Sequence, residues 1–598
     1  MRWLIGLLAA QARRLPQLGW RTRVILGLVV AVMGLLVLTR PLESLALLIA
    51  LVALSLLLEG LHRLSSADRS TVGVVVGVGL VAAAVLLVAW PRLTVDALAV
   101  IVGVSLVAHG VHELATATRA AGTTWRSVDR IGRLAGGSAW AVFGTLALVW
   151  PDVSLLVVGV AFGLRLVGFG ASEVLRAWRD RTRSADGRSA GQDGASDRRP
   201  LGALGVAGRG TALLCALALL AVTLVLHQET PRPGAAYRAA DSAVPGEPGR
   251  LVKSTPYSHG VPDGARGWLI LYTTTDAHGD PTTATAFVMA PDTPPPGPGD
   301  VVLWDHGTEG ADISCAPTLL PEPSPLAAPV AALREQLERG RVLVGPNYPG
   351  MGTPGAQSYL VGEVEGRAGL DAVLAAREID GLDLSPRTVV WGHSQGGHAA
   401  LWTGALAATH TSEIDLVGVA AAAPATEVRA LIPALVDDVF GKIMGSFLLR
   451  AYAETYDDVS VDAYVDPRMR LVYDAVSRRC LPMRTTLVSL VTALAARGPM
   501  FRTDPSTGPL GDRLDQNVPR GPIGVPVLIG QGGDDPLILP QMQARYVRER
   551  CRAGQALDYR TYAGRDHLSV VADDSPFVTD LLAWTEARFA GEPARSTC

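Results

Sequence analysis

A chain of 598 residues exceeds what one hydrophobic core supports, so two or more domains are required. Only 18% of the residues are charged and 49% are hydrophobic, which is too little charge for a wholly water-exposed protein of this size. The formal net charge of −3 excludes an electrostatic nucleic-acid binder, and Lys253 and Lys442 are the sole lysines.

The first part of the chain is a series of apolar runs, at about 24–39, 42–60, 72–90, 94–112, 135–150, 153–172 and 210–227. Several are shorter than the ~20 residues of an average membrane-spanning helix. They come in pairs broken by proline, at Arg40-Pro41, Trp90-Pro91 and Trp150-Pro151. This is one helical hairpin repeated three times, with Trp90 and Trp150 where interfacial aromatics belong. The expectation is an all-α polytopic membrane domain of about seven transmembrane helices, three Pro-centred hairpins plus one.

Arginine orients these helices. Arg2, Arg13, Arg14, Arg21 and Arg23 precede the first. Arg63 and Arg69, then Arg119, Arg126, Arg130 and Arg133, then Arg176 through Arg199 follow the second, fourth and sixth. The proline turns carry only Arg40 and Arg92. The positive-inside rule puts the N-terminus in the cytoplasm and everything after the seventh helix outside. Trp3–Ala10 is too short for a signal peptide and no small-residue cleavage site follows. Arg165, inside an apolar run, is a candidate functional residue, with Asp96 and Glu113 as candidate partners and a plain structural role as the alternative. The expected divisions are a membrane domain over 1–180, a cytoplasmic linker over 181–209, the seventh helix over 210–230 and a second domain over 231–598. Within the last, 228–265 reads as a linker and leading segment, rich in Pro and Gly.

Beyond it, strands and helices alternate. Strands are expected at 268–273, 282–290, 301–304, 341–344, 388–391, 415–420, 527–529 and 557–562, with helices at about 327–339 and 362–380. That order implies a mostly parallel sheet. Thr388-Val389-Val390-Trp391 leads into Gly392-His393-Ser394-Gln395-Gly396, and a small-residue helical run follows. Strand, tight turn and helix with serine at the tip make a nucleophile elbow, in which the flanking positions must be small. The remaining partners must follow the serine as acid, then histidine. Asp534 and Asp535 lie just past the 527–529 strand; Asp535 is the expected acid and Asp534 the alternative. His567 is the one histidine downstream of both. Ser394 would attack, His567 would carry the proton, and Asp535 would hold the histidine tautomer. The expected oxyanion donors are the Gln395 N–H and a backbone N–H of the His306-Gly307-Thr308 loop, with His306 and Gly307 the named candidates. His393 and His398 read as structural or rim residues. Helical periods at 428–440, 443–455, 467–479 and 484–497 form an insertion of about 425–515, with Phe440, Met444, Phe447, Leu448 and Leu449 as an apolar cluster.

Two resemblances follow from these residues. The Pro-centred hairpins over about 20–180 resemble small acid-resistance membrane proteins of the HdeD type. Trp304-Asp305-His306-Gly307-Thr308 with Cys315-Ala316-Pro317, Tyr348-Pro349-Gly350-Met351-Gly352, Gly392–Gly397, Gln531–Pro540 and His567 resemble the secretory lipase family, the fungal lipase A-like α/β-hydrolases, over about 250–590. The second resemblance implies an esterase or lipase whose insertion is a helical cap. Hydrophobic ester or lipid is the implied substrate and no cofactor is implied; the attached membrane domain departs from that family and makes the expected enzyme tethered to the membrane. An acyltransferase or peptidase could use the same triad, and fold alone does not choose among them. A membrane stress or transport protein with an ancillary hydrolase domain is a reading of another class. Oligomeric state is not legible.

Cys315, Cys480, Cys551 and Cys598 lie in the second half, and no C-x-x-C pair suggests zinc. An even set outside the cytoplasm predicts two disulfides. Four cysteines permit three connectivities. Cys315–Cys480 would pin the cap beside the site, and Cys551–Cys598 would tie down the terminus.

Overall fold

The computed structural model describes residues 20–39, 91–119, 127–149, 166–178, 231–239, 246–320, 330–436, 438–481, 485–496 and 498–598, with isolated helical positions between 57 and 85, at 163 and between 210 and 224. The chain divides into two compact units, with the main boundary after His227.

The first unit contains α1 (Trp20–Thr39), α2 (Pro91–Arg119) and α3 (Ser127–Val149), and 166–178 is also helical. Pro91 is the first residue of α2, where its missing N–H leaves no helical bond unmade. Among the described residues, Trp20–Leu38 and Arg130–Leu148 are long and apolar enough to cross a membrane. The expected run at 94–112 lies within α2, whereas those at 42–60, 72–90, 153–172 and 210–227, and the turns at Pro41 and Pro151, lie wholly or partly outside the described residues. The helices meet through glycine. A Cβ on Gly110 would lie 2.5 Å from the Gly137 carbonyl oxygen, and one on Gly144 would lie 2.6 Å from that of Gly103. The two contacts run in opposite order along α2 and α3, so these helices pack antiparallel across the arginine-bearing connection. Gly27 with Gly170 and Gly34 with Gly163 repeat the arrangement between α1 and the 163–178 region. Arg23, counted above among the N-terminal charges, is buried against Glu173, with Nε at 2.9 Å and Nη2 at 2.7 Å from one carboxylate oxygen. Arg165 and the side chain of Asp96 lie outside the described residues; Glu113 faces His109 at 3.8 Å.

The second unit is built on nine strands: β1 (Leu251–Tyr257), β2 (Ala265–Thr275), β3 (Pro281–Pro291), β4 (Gly299–Asp305), β5 (Val342–Asn347), β6 (Leu384–His393), β7 (Asp415–Ala422), β8 (Val527–Gly532) and β9 (Leu557–Tyr562). Their order in the sheet is β1-β2-β3-β5-β4-β6-β7-β8-β9. The pairings through β3 to β5 are antiparallel and the rest are parallel. β1 lies within the segment read above as a linker. It is an edge strand, which is why Pro256 is tolerated there and why its apolar pattern is weak.

The helices of this unit are α4 (Val330–Glu338), α5 (Gly362–Ala376), α6 (Gln395–His410), α7 (Val428–Leu435), α8 (Val439–Thr455), α9 (Val461–Tyr464), α10 (Arg470–Val476), α11 (Thr485–Ala495), α12 (Gly508–Gln516), α13 (Pro540–Arg552) and α14 (Pro576–Phe589). Alternate strand residues face opposite layers. Val301, Leu303, Val390, Val419 and Ile529 pack with α5, α6 and α13 residues such as Leu370, Leu401 and Tyr546. Val302, Trp304, Val389, Trp391 and Leu528 pack with α4 and α14 residues such as Leu337, Phe577 and Trp584. Burial on both faces explains why the central strands read as continuous apolar runs.

Helices α7 to α12 interrupt the α/β alternation between β7 and β8. The helix expected over 428–440 ends early, because Asp438 accepts the Gly441 N–H at 2.6 Å and caps a new helix. The four-residue α9 and the nine-residue α12 were not anticipated. Both predicted disulfides are present: Cys315–Cys480, with Cα atoms 5.2 Å apart, and Cys551–Cys598, at 5.4 Å.

Candidate active site

From β4 the chain passes to β5 on one side and then to β6 on the other, so its direction across the sheet reverses at β4. Ligands of such sheets bind beyond the strand ends at that reversal. β6 ends at His393, α6 begins at Gln395, and Ser394 between them has φ 57 and ψ −116. A non-glycine residue held there stores strain, so its surroundings must impose it. They do so backbone on backbone. A Cβ on Gly392 would lie 2.0 Å from the Gly396 oxygen, and one on Gly396 would lie 1.9 Å from that of Asp305. The Ser394 N–H donates to Ala422 O at 2.9 Å, and its carbonyl accepts from Ala425 N at 3.1 Å.

The loop after β9 brings His567 to the serine. Asp566 fixes that loop by accepting the Leu568 and Ser569 N–H groups at 3.1 and 2.8 Å. Nε2 of His567 lies 2.9 Å from the Ser394 hydroxyl, and Nδ1 lies 2.8 Å from Oδ2 of Asp535. Facing a carboxylate, Nδ1 carries the proton, which leaves Nε2 to accept from the serine. Asp535 is buried; its Oδ1 accepts from Leu537 N and Ile538 N, both at 2.8 Å, and its Oδ2 from Gln531 Nε2 at 3.1 Å. Asp534 is exposed, and its own N–H is turned to Arg565 O. His393 is more than a bystander: its Nε2 donates to the His567 carbonyl at 2.8 Å.

Of the proposed oxyanion donors, Gln395 heads α6, is buried and lines a cavity in front of Ser394. In the 306–308 loop it is Thr308 that lines the cavity, its hydroxyl 3.2 Å from that of Tyr359. The His306 ring is turned inward. Its Nδ1 donates to Gly307 O at 2.7 Å, the ring stacks on Tyr348, and burial pushes its pKa down to about 4, so it is neutral. Burial pushes Tyr359 up to about 12. Asp305, under the elbow, is held far above the usual carboxylate range by burial and then by the neighbouring Glu365 charge. Burial alone does the same to Glu309.

The cavity encloses about 120 Å³. Ser394, His567 and Gln395 line one part of it. Leu431 and Ile432 of α7, Met444 and Leu448 of α8, Phe501 and Leu510 are among the apolar residues that line another part. Such a lining suits a hydrocarbon chain. Of the apolar cluster read from the sequence, Met444 and Leu448 reach the cavity, Phe447 and Leu449 are buried elsewhere, and Phe440 is exposed. Among the described residues no cluster of His, Cys, Asp or Glu is arranged to hold a metal ion.

Residues 326–597 match the family model of the secretory lipases. The chain carries a secretory lipase domain. Lipase 6 of Candida albicans is 24% identical over 402 residues, covering 60% of this chain and 82% of that protein. Secreted triacylglycerol lipase LIP3 of Malassezia globosa is 25% identical over 413 residues, 64% of this chain and 88% of the relative. The closed-state structure of Candida antarctica lipase A superposes with a TM-score of 0.51 at 18% identity, over 62% of this chain and 89% of that one, so the fold is that of an α/β-hydrolase. The lipase domain is a carboxylic ester hydrolase. Residues 25–73, 75–131 and 135–190 match three copies of a short repeat of unknown function, DUF308, which is the HdeD-type repeat.

Proposed function

We propose that this chain is a membrane-tethered serine hydrolase that cleaves lipid or other hydrophobic esters through an acyl-enzyme. The observation that carries the reading is the continuous relay Ser394–His567–Asp535 opening on an apolar cavity. His567 takes the hydroxyl proton as Ser394 attacks the ester carbonyl. It returns that proton to the leaving alcohol, then activates water to release the acid. Asp535 holds the tautomer and balances the imidazolium. The Gln395 N–H and a backbone N–H of the 306–308 loop, in which Thr308 is the residue at the cavity, stabilise the oxyanion, each by ~3 kcal/mol. The α7–α12 insertion is the helical cap over the acyl chain, and the triacylglycerol activity named for the Malassezia relative indicates the substrate class.

The membrane part of the proposal has seven spans over about 20–230, a cytoplasmic N-terminus and linker at 181–209, and the lipase domain from 231 outside. The arginine asymmetry supports it, and so do two disulfides, which persist in oxidising compartments. Assay of the full chain in detergent against p-nitrophenyl esters of increasing length tests the chemistry. Hydrolysis should favour long over acetyl chains, and Ser394→Ala should lower turnover by about 10⁶ with the fold intact. Turnover within a few-fold of wild type in that variant rejects Ser394 as nucleophile. On intact cells, a protease-sensitive tag at residue 190 should be protected and one at the C-terminus cleaved; the reverse puts the lipase domain in the cytoplasm.

A further inference from the structure

Glu365 lies on α5, fully buried, and takes no part in the chemistry above. Its Oε1 accepts from the Gln395 side-chain amide at 2.6 Å and from the Leu360 N–H at 3.0 Å. Its Oε2 faces Nδ1 of the buried His398 at 3.3 Å. Nε2 of His398 faces the main-chain carbonyl of Asn517 at 2.7 Å. A carbonyl only accepts, so Nε2 carries a proton. Nδ1 and Oε2 are then both acceptors unless one more proton lies between them. That contact therefore holds a proton, whichever atom carries it, and the Glu365–His398 pair has no net charge.

The location gives the pair a consequence for turnover. Gln395 carries the main-chain N–H assigned to the oxyanion, and its side chain is anchored to Glu365. Leu360 lines the same cavity with φ 57, a strained value whose N–H the same carboxylate holds. One carboxylate thus fixes two walls of the site. Asn517 joins this network to the cap: its carbonyl also accepts from Trp402 Nε1 at 3.0 Å, and its side-chain oxygen accepts the Gly362 N–H at 2.8 Å. A bare buried carboxylate here would oppose negative charge developing on the substrate oxygen. The other titratable groups coupled to Glu365 are Asp305, Tyr348, Tyr359 and Tyr452, and burial favours the neutral form of each.

We propose that Glu365 and His398 are a proton-sharing, charge-neutral positioning pair that holds the oxyanion donor Gln395 in place and in register with the return of the cap. The proposal rests on Ser394 being the nucleophile. The test uses the full chain in detergent. Functional sites are counted by labelling Ser394 to completion with a p-nitrophenyl phosphonate, and kcat and KM are then measured per labelled site. Glu365→Ala should lower kcat by about tenfold to a hundredfold, less than outright loss of an oxyanion donor, with KM within about threefold. Glu365→Gln keeps an acceptor for Gln395 and Leu360 and supplies a fixed N–H toward His398, so it should restore kcat to within about threefold of wild type. Should the alanine variant not fold, His398→Ala, which strips the carboxylate of its proton partner, should show the same loss of kcat with KM kept. Wild-type kcat per labelled site in the alanine variants, or a glutamine variant as damaged as Glu365→Ala, overturns the proposal. Failure of the wild type to label at Ser394 instead overturns the nucleophile assignment on which it rests, a result distinct from a labelled enzyme indifferent to residue 365.

Discussion

Glycine brings backbones together in both halves of this chain, and the two uses differ in what surrounds them. Between α2 and α3, Gly110 and Gly137 let two helices touch, while large side chains such as Ile25 (61% exposed) and Leu35 (57%) on α1 point away from the protein. In the lipase domain, Gly392 and Gly396 let a strand, a turn and a neighbouring strand end touch, with apolar side chains turned inward. Small residues between helices with large apolar ones outside is the packing expected where the surroundings are themselves apolar. Apolar layers on both faces of a sheet, with polar chemistry confined to strand ends, is the packing expected in water. The same residue type therefore serves helix association in one half and the tight turn that carries Ser394 in the other.

After loss of Ser394 itself, the largest effect that separates the halves should come from the acid. Asp535→Asn should cost on the order of 10⁴ in turnover through the wrong histidine tautomer, with the repeat helices unaffected. Asp534→Asn should stay within a few-fold. If the Asp534 change is the damaging one, the choice of acid is wrong.

The disulfides sharpen the comparison in stability. Replacing Cys315 and Cys480 by serine opens a loop of sequence separation 165 and should lower the stability of the lipase domain by up to ~5 kcal/mol, read by its thermal midpoint. Peptide mapping without reduction should recover both pairs, and four free thiols in protein from its native membrane would count against the external location.

A smaller change should act in the other half alone. Gly110→Val drives a side chain into the Gly137 carbonyl and should weaken the α2–α3 contact by about 1–3 kcal/mol, measured as increased protease sensitivity of the repeat region. Ester turnover should remain within about twofold; a large loss would show that the halves are coupled.

The smallest effect concerns Glu309, which burial keeps protonated when folded. Its folded pKa is raised, so the folded state binds the extra proton. Stability is then lost as pH rises from the unfolded carboxyl range toward the folded pKa. Glu309→Gln removes that loss and should raise the thermal midpoint by about 2 °C at pH 8 while changing it little at pH 4. Equal shifts at both pH values would locate the effect in packing rather than protonation.

Local signals were legible without the fold. The elbow is contiguous, so strand, small flanking residues and serine sit within one stretch, Thr388–Gly397. The Ser, Asp, His order needed only chain direction, and the threefold repeat showed as a recurring apolar pair ending at proline. Apolar runs located β4, β6 and β8 because burial on both faces keeps their central residues apolar. Other features were decided by atoms distant in sequence. β1 is a strand because β2 offers it an edge, not because of its own pattern. Asp535 differs from Asp534 because its carboxylate meets His567, brought in by the loop after β9, while Asp534 is exposed. His306 turns inward and leaves Thr308 at the cavity because Tyr348, more than forty residues on, stacks against its ring. Glu365, His398 and Asn517 carry no motif at all; three helices bring them together, and the proton their contact requires follows from hydrogen-bond geometry that only tertiary packing creates.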